Sequence, residues 1–87
     1  MHAVVVRVSI DDPEAAAPRL REDVVPRVSQ APGFVAGYWT RKDNSGLSMV
    51  VFESEEAAKN AEERIRENMP DGVTLDSTEV REVVANA

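Results

Sequence analysis

The sequence predicts an α+β sandwich: a four-stranded antiparallel sheet with two helices on one face, in the order βαββαβ. Three observations predict it. Four apolar runs, at residues 4–10, 34–41, 47–52 and 73–84, have the length and β-branched or alternating character of strands. Two stretches with apolar residues three or four apart, each opened by a capping residue, separate the first run from the second and the third from the fourth. Turn chemistry falls at the junctions: Pro32-Gly33, the cluster KDNSG, and Pro70-Asp71-Gly72.

The elements follow in order. Residues 4–10 are interrupted only by Arg7 and Ser9, as in a strand near the middle of a sheet. Asp12-Pro13-Glu14 then opens a helix: Asp caps, Pro suits the first turn, and Glu favours the positive end of the dipole. Leu20, Val24 and Val28 form one apolar stripe, while Pro18 and Pro26 predict a kink, an interior proline costing about 3 kcal/mol. The second strand runs from Phe34 through Arg41. A loop over 43–46, with Asn44 and Gly46 tolerating positive φ, would set Trp39 opposite Val50 and Tyr38 opposite Val51. Ser54 caps the second helix, whose buried stripe is Ala58, Ala61 and Ile65, extended by Met69. On its wet face Lys59/Glu63 and Glu62/Arg66 are spaced for i,i+4 pairing. In the last strand Val73 and Leu75 are odd but Val80 and Val84 even, which predicts a bulge or a change of neighbour near residues 77–79. Right-handed crossovers make this a split βαβ, or ferredoxin-like, sandwich with the first and third strands central.

The 87 residues are read as a single domain, 1–87, near the small end of what folds alone. With no cysteine, neither disulfides nor thiolate metal sites supplement the core, which fits a reducing compartment, and the cytoplasm is the expected location. No apolar run approaches the roughly 20 residues of a membrane span. The first ten residues, MHAVVVRVSI, read as a strand and not as a signal peptide. A net charge of −6 argues against nucleic acid, and no basic amphipathic stretch suits an anionic membrane.

The octet PGFVAGYW, residues 32–39, holds Phe34, Tyr38 and Trp39, three of the four aromatic residues. Simple alternation puts Phe34, Ala36 and Tyr38 on one face and Val35, Gly37 and Trp39 on the other, so both faces are apolar. A Trp buries on the order of 150–250 Å², worth roughly 4–6 kcal/mol at the usual transfer coefficient. The strand also lies at an edge with no charge until Arg41 to protect it. A second copy of the chain, sheet against sheet, would cover what the helices leave. A homodimeric closed barrel is therefore expected, with Trp39, Val35, Val80 and Val84 at its interface. A well-packed edge beneath a helix is the competing explanation.

APGFVAGYW, the polar hairpin, MVVFESEEAAKNAEERI and the final strand together resemble the dimeric α+β barrel superfamily, and within it the antibiotic biosynthesis monooxygenase-like (ABM) domain. The resemblance covers almost the whole chain and lies in fold signatures more than catalytic ones. It implies either a cofactor-independent monooxygenase acting on a small aromatic substrate, or a non-catalytic small-molecule-binding or stress-associated barrel. Haem-degrading members carry an Asn on the first strand and a Trp and a His on the second helix. Here Val6 and Arg7 stand on the first strand, residues 57–68 hold neither, and the only histidine is His2. Haem degradation is accordingly not expected, and neither is any cofactor.

The residues available for cofactor-free oxygenation are Tyr38, Trp39, Arg7 and Arg41: a ring to stack on and a guanidinium for a developing oxyanion. Each has a structural explanation too. Tyr38 and Trp39 suit a core or interface, Arg41 a solvated hairpin, and Arg7 an interfacial partner for Glu79 or Glu82. Asp11, Asp12, Glu53, Glu55 and Glu56 sit at helix starts, where the dipole explains them. DNSG lacks the remaining ligands of a calcium loop, Gly33 and Gly37 lack a phosphate-loop motif, and no metal site is expected.

Overall fold

The computed structural model describes all residues, 1–87. Its strands are β1 (His2–Ile10), β2 (Phe34–Lys42), β3 (Ser45–Phe52) and β4 (Val73–Glu82). Its helices are α1 (Pro13–Arg19), α2 (Val25–Ser29) and α3 (Glu55–Glu67), with one π-helical turn, Leu20–Val24, joining α1 to α2. The sheet order is β2-β3-β1-β4 and every pairing is antiparallel. The central strands are β1 and β3, as the βαββαβ order requires.

The core sits between the sheet and α3. Val4 and Val6 of β1, Val50 and Phe52 of β3, and Ala58 and Ala61 of α3 are buried together. The small alanines let α3 lie close on the sheet, while Ser54 starts the helix by accepting from the Ala57 N–H at 3.1 Å. Lys59 pairs with Glu55 at 3.0 Å and not with Glu63, and Arg66 pairs with Glu62 at 3.7 Å. Both have the acid N-terminal to the base, the orientation that suits the helix dipole.

The hairpin loop is two residues long, Asp43-Asn44, since Lys42 already pairs with Ser45. Positive φ falls on Asp43 (54°), not on Asn44 or Gly46. Asn44 is held instead by the end of β1: its carbonyl accepts from the Ile10 N–H at 2.7 Å and its Nδ2 donates to the Ile10 carbonyl at 2.8 Å. The expected register therefore moves by two residues, with Trp39 opposite Ser48 and Tyr38 opposite Met49. A shift of two leaves every side chain on its face.

Two irregularities decide which face is which. The β2–β3 register shifts between Phe34 and Ala36, so Val35 is an extra residue. Phe34 pairs with Phe52 and meets it edge-on, ring centroids 6.2 Å apart, whereas Ala36 and Tyr38 turn to the opposite face. Plain alternation had grouped these three together. In β4 the shift comes opposite Arg7 and Val8, whose partners are Ser77 and Leu75, making Asp76 the extra residue. This is the expected bulge, just before residue 77, and it keeps Val73, Leu75 and Val80 on the helix side. Arg7 pairs in register with Leu47 and Ser77 and makes no ion pair; Glu79 bonds Arg81 at 3.1 Å instead. The strand ends at Glu82, leaving Val84 beyond it and 87% exposed.

Candidate functional site

The helical segment from Pro13 to Ser29 seats only partly on the sheet, Val28 packing against the core. Pro18 and Pro26 lack the N–H that would bond the preceding turn, and between them the chain relaxes into the π turn, where the Val25 N–H donates to the Leu20 carbonyl. No residue of this segment is fully buried. The stripe Leu20, Val24 and Val28 faces inward as its spacing predicts, but it roofs a cavity of about 490 Å³. A volume of this size accommodates a drug-sized molecule.

The floor is β1, β2 and β3, presenting Val6, Val8, Val50 and Trp39. Ile65 of α3 and Met69 just after it close one end. Fifteen of the 24 lining residues are hydrophobic. Trp39 is half-buried and its indole lies flat across Gly37: a Cβ at that position would come within 2.7 Å of Trp39 Cη2. Glycine is what lets the ring fold back along its own strand. Charged groups occur only at the mouth, where Arg19, Arg21, Arg41 and Asp71 are all exposed.

The structure thus brings Trp39 and Arg41 together and separates them from Tyr38 and Arg7. The latter pair stand on the other face of the sheet, along a shallow groove of about 350 Å³ with Val5, Leu47 and Met49. There Tyr38 is 68% exposed, Met49 46% and Leu47 44%, which makes this the face that no helix covers. Of the residues expected at a dimer interface, Trp39 and Val80 lie on the helix-covered face and pack against the core. For Trp39 the bulge at Val35 is the reason, because it sets the parity of everything after it in β2; Val80 pairs with the buried Val4 of β1 and shares its face. Val35 itself is 45% exposed. A small-molecule pocket is what the resemblance implies, but its place under this segment and the presence of Arg19 and Arg21 in its lining are not read from the sequence. The signal for its place was present in the two prolines that keep an apolar stripe from seating fully.

His2 lies away from the cavity, at the start of α3, with Nε2 3.4 Å from Glu55 Oε2 and a buried Nδ1 that has no partner. The Lys59 hydrogen bond and charge, and then His2, hold the Glu55 carboxyl below its ordinary value. No group of three or more His, Cys, Asp or Glu side chains is placed to hold a metal ion. No helix is long and apolar enough to cross a membrane.

A four-stranded antiparallel sheet with its helices on one face is a ferredoxin-like α+β fold. Among solved structures, the chain is similar to the haem degrader MhuD of Mycobacterium tuberculosis, solved with two haems bound in its active site. The likeness has a TM-score of 0.53 at 22% identity, over 97% of this chain and 98% of that one, and it is a likeness of fold. No protein-family model matches the chain, and no curated protein matches it.

Proposed function

We propose that this protein is a homodimeric ABM-like barrel that binds a small aromatic molecule between its sheet and its first helical segment, and oxygenates it without a cofactor. The observation that carries the reading is the cavity of about 490 Å³, floored by Trp39 and walled by aliphatic side chains. The indole offers a stacking surface for an aromatic ring. The aliphatic walls exclude water, so that a phenolate bound there loses its hydration and is held by fixed protein dipoles and the nearby guanidinium of Arg41. In such a reaction the substrate anion supplies the electrons and dioxygen is the oxidant; the chain supplies orientation, dryness and positive charge.

The open face supports the dimer. Tyr38, Leu47 and Met49 form an apolar patch around the buried Val5 and Ala3, and a second sheet packed against it would bury them all. On this reading the interface is formed by Tyr38, Leu47 and Met49, with Val35 and Val84 at its margin, in place of Trp39 and Val80.

The haem of the similar structure does not suit these donors. Met69 contributes the one thioether among the lining residues, which include no imidazole, thiolate or phenolate. A second reading, binding without chemistry, is favoured by one observation: Asp71 at the mouth is the sole lining group able to act as a general base.

The test combines a thermal-shift titration with an oxygen electrode, using 1,5-dihydroxynaphthalene and related hydroxylated aromatics. A rising melting temperature together with oxygen uptake supports oxygenation. A rise without uptake leaves the carrier reading. No rise for any of them defeats both. Light scattering at micromolar concentration checks the dimer, and a monodisperse monomer would remove it.

A further inference from the structure

We infer that the mouth of the cavity is an anion clamp, built from Arg19, Arg21 and Arg41, and that the ligand is an aromatic body carrying a carboxylate at one end. The inference rests on the ligand-binding reading of this cavity and narrows its chemistry.

The first observation is a local inversion of charge. The chain has 16 acidic residues against 10 basic ones, yet the cavity lining has three arginines and one acid, Asp71. The site is positive in a protein that is otherwise negative. The second is that the clamp residues are free. Arg66 and Arg81 are engaged by Glu62 and Glu79, and Arg66 also bonds Thr78. Arg19, Arg21 and Arg41 make no salt bridge and no side-chain hydrogen bond. Arg7, Arg27 and Arg64 are also unpaired, but they stand outside the cavity. The third is placement. Arg19 ends α1 and Arg21 lies in the π turn, on the roof; Arg41 lies on β2, at the floor. Roof and floor thus each contribute cations to the lining of one cavity.

A permanent charge cannot occupy the interior, because burying an unpaired carboxylate among valines, Leu20 and Ile65 would cost several kcal/mol. At the mouth it meets guanidiniums, whose planar fork bonds a carboxylate through two parallel N–H donors. Hydrophobic contacts would then fix the ring over Trp39 while the clamp fixes which end points outward. This role is distinct from stabilising a phenolate formed within the pocket. It needs a second, permanent anion on the same ligand, and Asp71 opposes it from the same rim.

The test uses N-phenyl-1-naphthylamine, an uncharged fluorescent reporter of the cavity, with 2-naphthoate and 2-naphthamide as competitors that differ only at the anionic group. For the wild-type protein, naphthoate should displace the reporter at least tenfold more tightly than naphthamide, and the ratio should fall as salt rises. In the Arg19→Gln/Arg21→Gln/Arg41→Gln variant the ratio should collapse toward one while reporter affinity holds; Asp71→Asn should raise it. All substituted positions are exposed, and circular dichroism verifies that the variants fold. Equal competition by the two compounds in the wild type, or a ratio that survives the triple substitution, overturns the clamp and leaves the pocket. A reporter that fails to bind the wild type at all overturns the pocket, and the clamp with it.

Discussion

The two helical segments of this chain have similar apolar stripes and opposite fates. In α3, Ala58 and Ala61 are small, the Ser54 cap is in place, the helix is unbroken over 13 residues, and the stripe is buried on the sheet. In the segment from Pro13 to Ser29, Leu20, Val24 and Val28 are larger, two prolines interrupt the bonding, and nothing is fully buried. A periodic stripe specifies which way a helix faces. How closely it approaches depends on side-chain bulk and backbone continuity. One segment stabilises the fold, and the other holds open a space.

The largest expected effect tests that division directly. Phe52→Ala removes a fully buried ring beneath α3 and meets both Val4 and Phe34 in the same core. It should cost about 3–5 kcal/mol in urea denaturation. Leu20→Ala, although also large-to-small, enlarges a space that is already there, and should cost about 1 kcal/mol or less. Equal losses would mean that the first segment is as tightly seated as α3, and the cavity reading would fail.

The same contrast explains what could be read in the residues alone. The succession of elements along the chain, the Ser54 cap and the Ala58–Ala61–Ile65 stripe are local patterns, and local patterns survive folding. The Asp43-Asn44 loop was read as longer because nothing in KDNSG shows that β1 would reach across to hold Asn44. The bulge at Val35 is invisible in a strand whose two sets of residues are both apolar, and with it went the face of Trp39. Phe34 and Tyr38 look like partners by parity and lie on opposite sides of the sheet. Arg41 was recognisable as a candidate because it sits near Trp39 on one strand. Arg19 and Arg21 were not, since a charge on a helix ordinarily means solvent, and nothing local shows that these two line a cavity.

Gly37→Ala should have the next largest effect, and it sharpens the comparison on the cavity side. Its Cβ would lie 2.7 Å from Trp39 Cη2 and 2.9 Å from Cζ3, so the ring must move. A cost of about 1–3 kcal/mol is expected from overpacking. The indole swings into the open space, and its fluorescence, free of other tryptophans, reports the change. Because the cavity can take the ring, the loss should sit toward the low end of that range. An unchanged emission spectrum with full stability would place the indole elsewhere.

The helix caps come next. Ser54→Ala removes the 3.1 Å bond to the Ala57 N–H at the start of the well-seated helix, and should cost about 1 kcal/mol. Asp12→Ala removes a longer 3.3 Å bond to the Ala15 N–H at the start of the segment that seats poorly. Its global cost should be smaller, while hydrogen exchange in α1 should speed up locally. If Asp12→Ala destabilised the whole protein more than Ser54→Ala, the first segment would be contributing more to global stability than its contacts imply.

The smallest effect concerns the charges at the start of α3. Glu55 has its carboxyl pKa lowered below the ordinary 4.5, first by the Lys59 hydrogen bond, then by the charges of Lys59 and His2. A lowered folded-state value means that the folded protein binds this proton less readily than the unfolded chain does. The contribution is therefore present above the unfolded value and is lost as pH falls through the folded one. Glu55→Gln should separate slightly from the wild type at pH 7, and the two denaturation midpoints should converge as pH drops below about 4.5. The side chain is more than half exposed, so solvent and salt screen the effect, and added salt should shrink the pH 7 difference. The charges at the mouth of the cavity make no ion pairs to lose. Over the same pH range, naphthoate affinity in the wild type should therefore follow the ligand's own ionisation, and should not change with Glu55→Gln. A parallel change would tie the two ends of the molecule together and would end the division of labour between its helical segments.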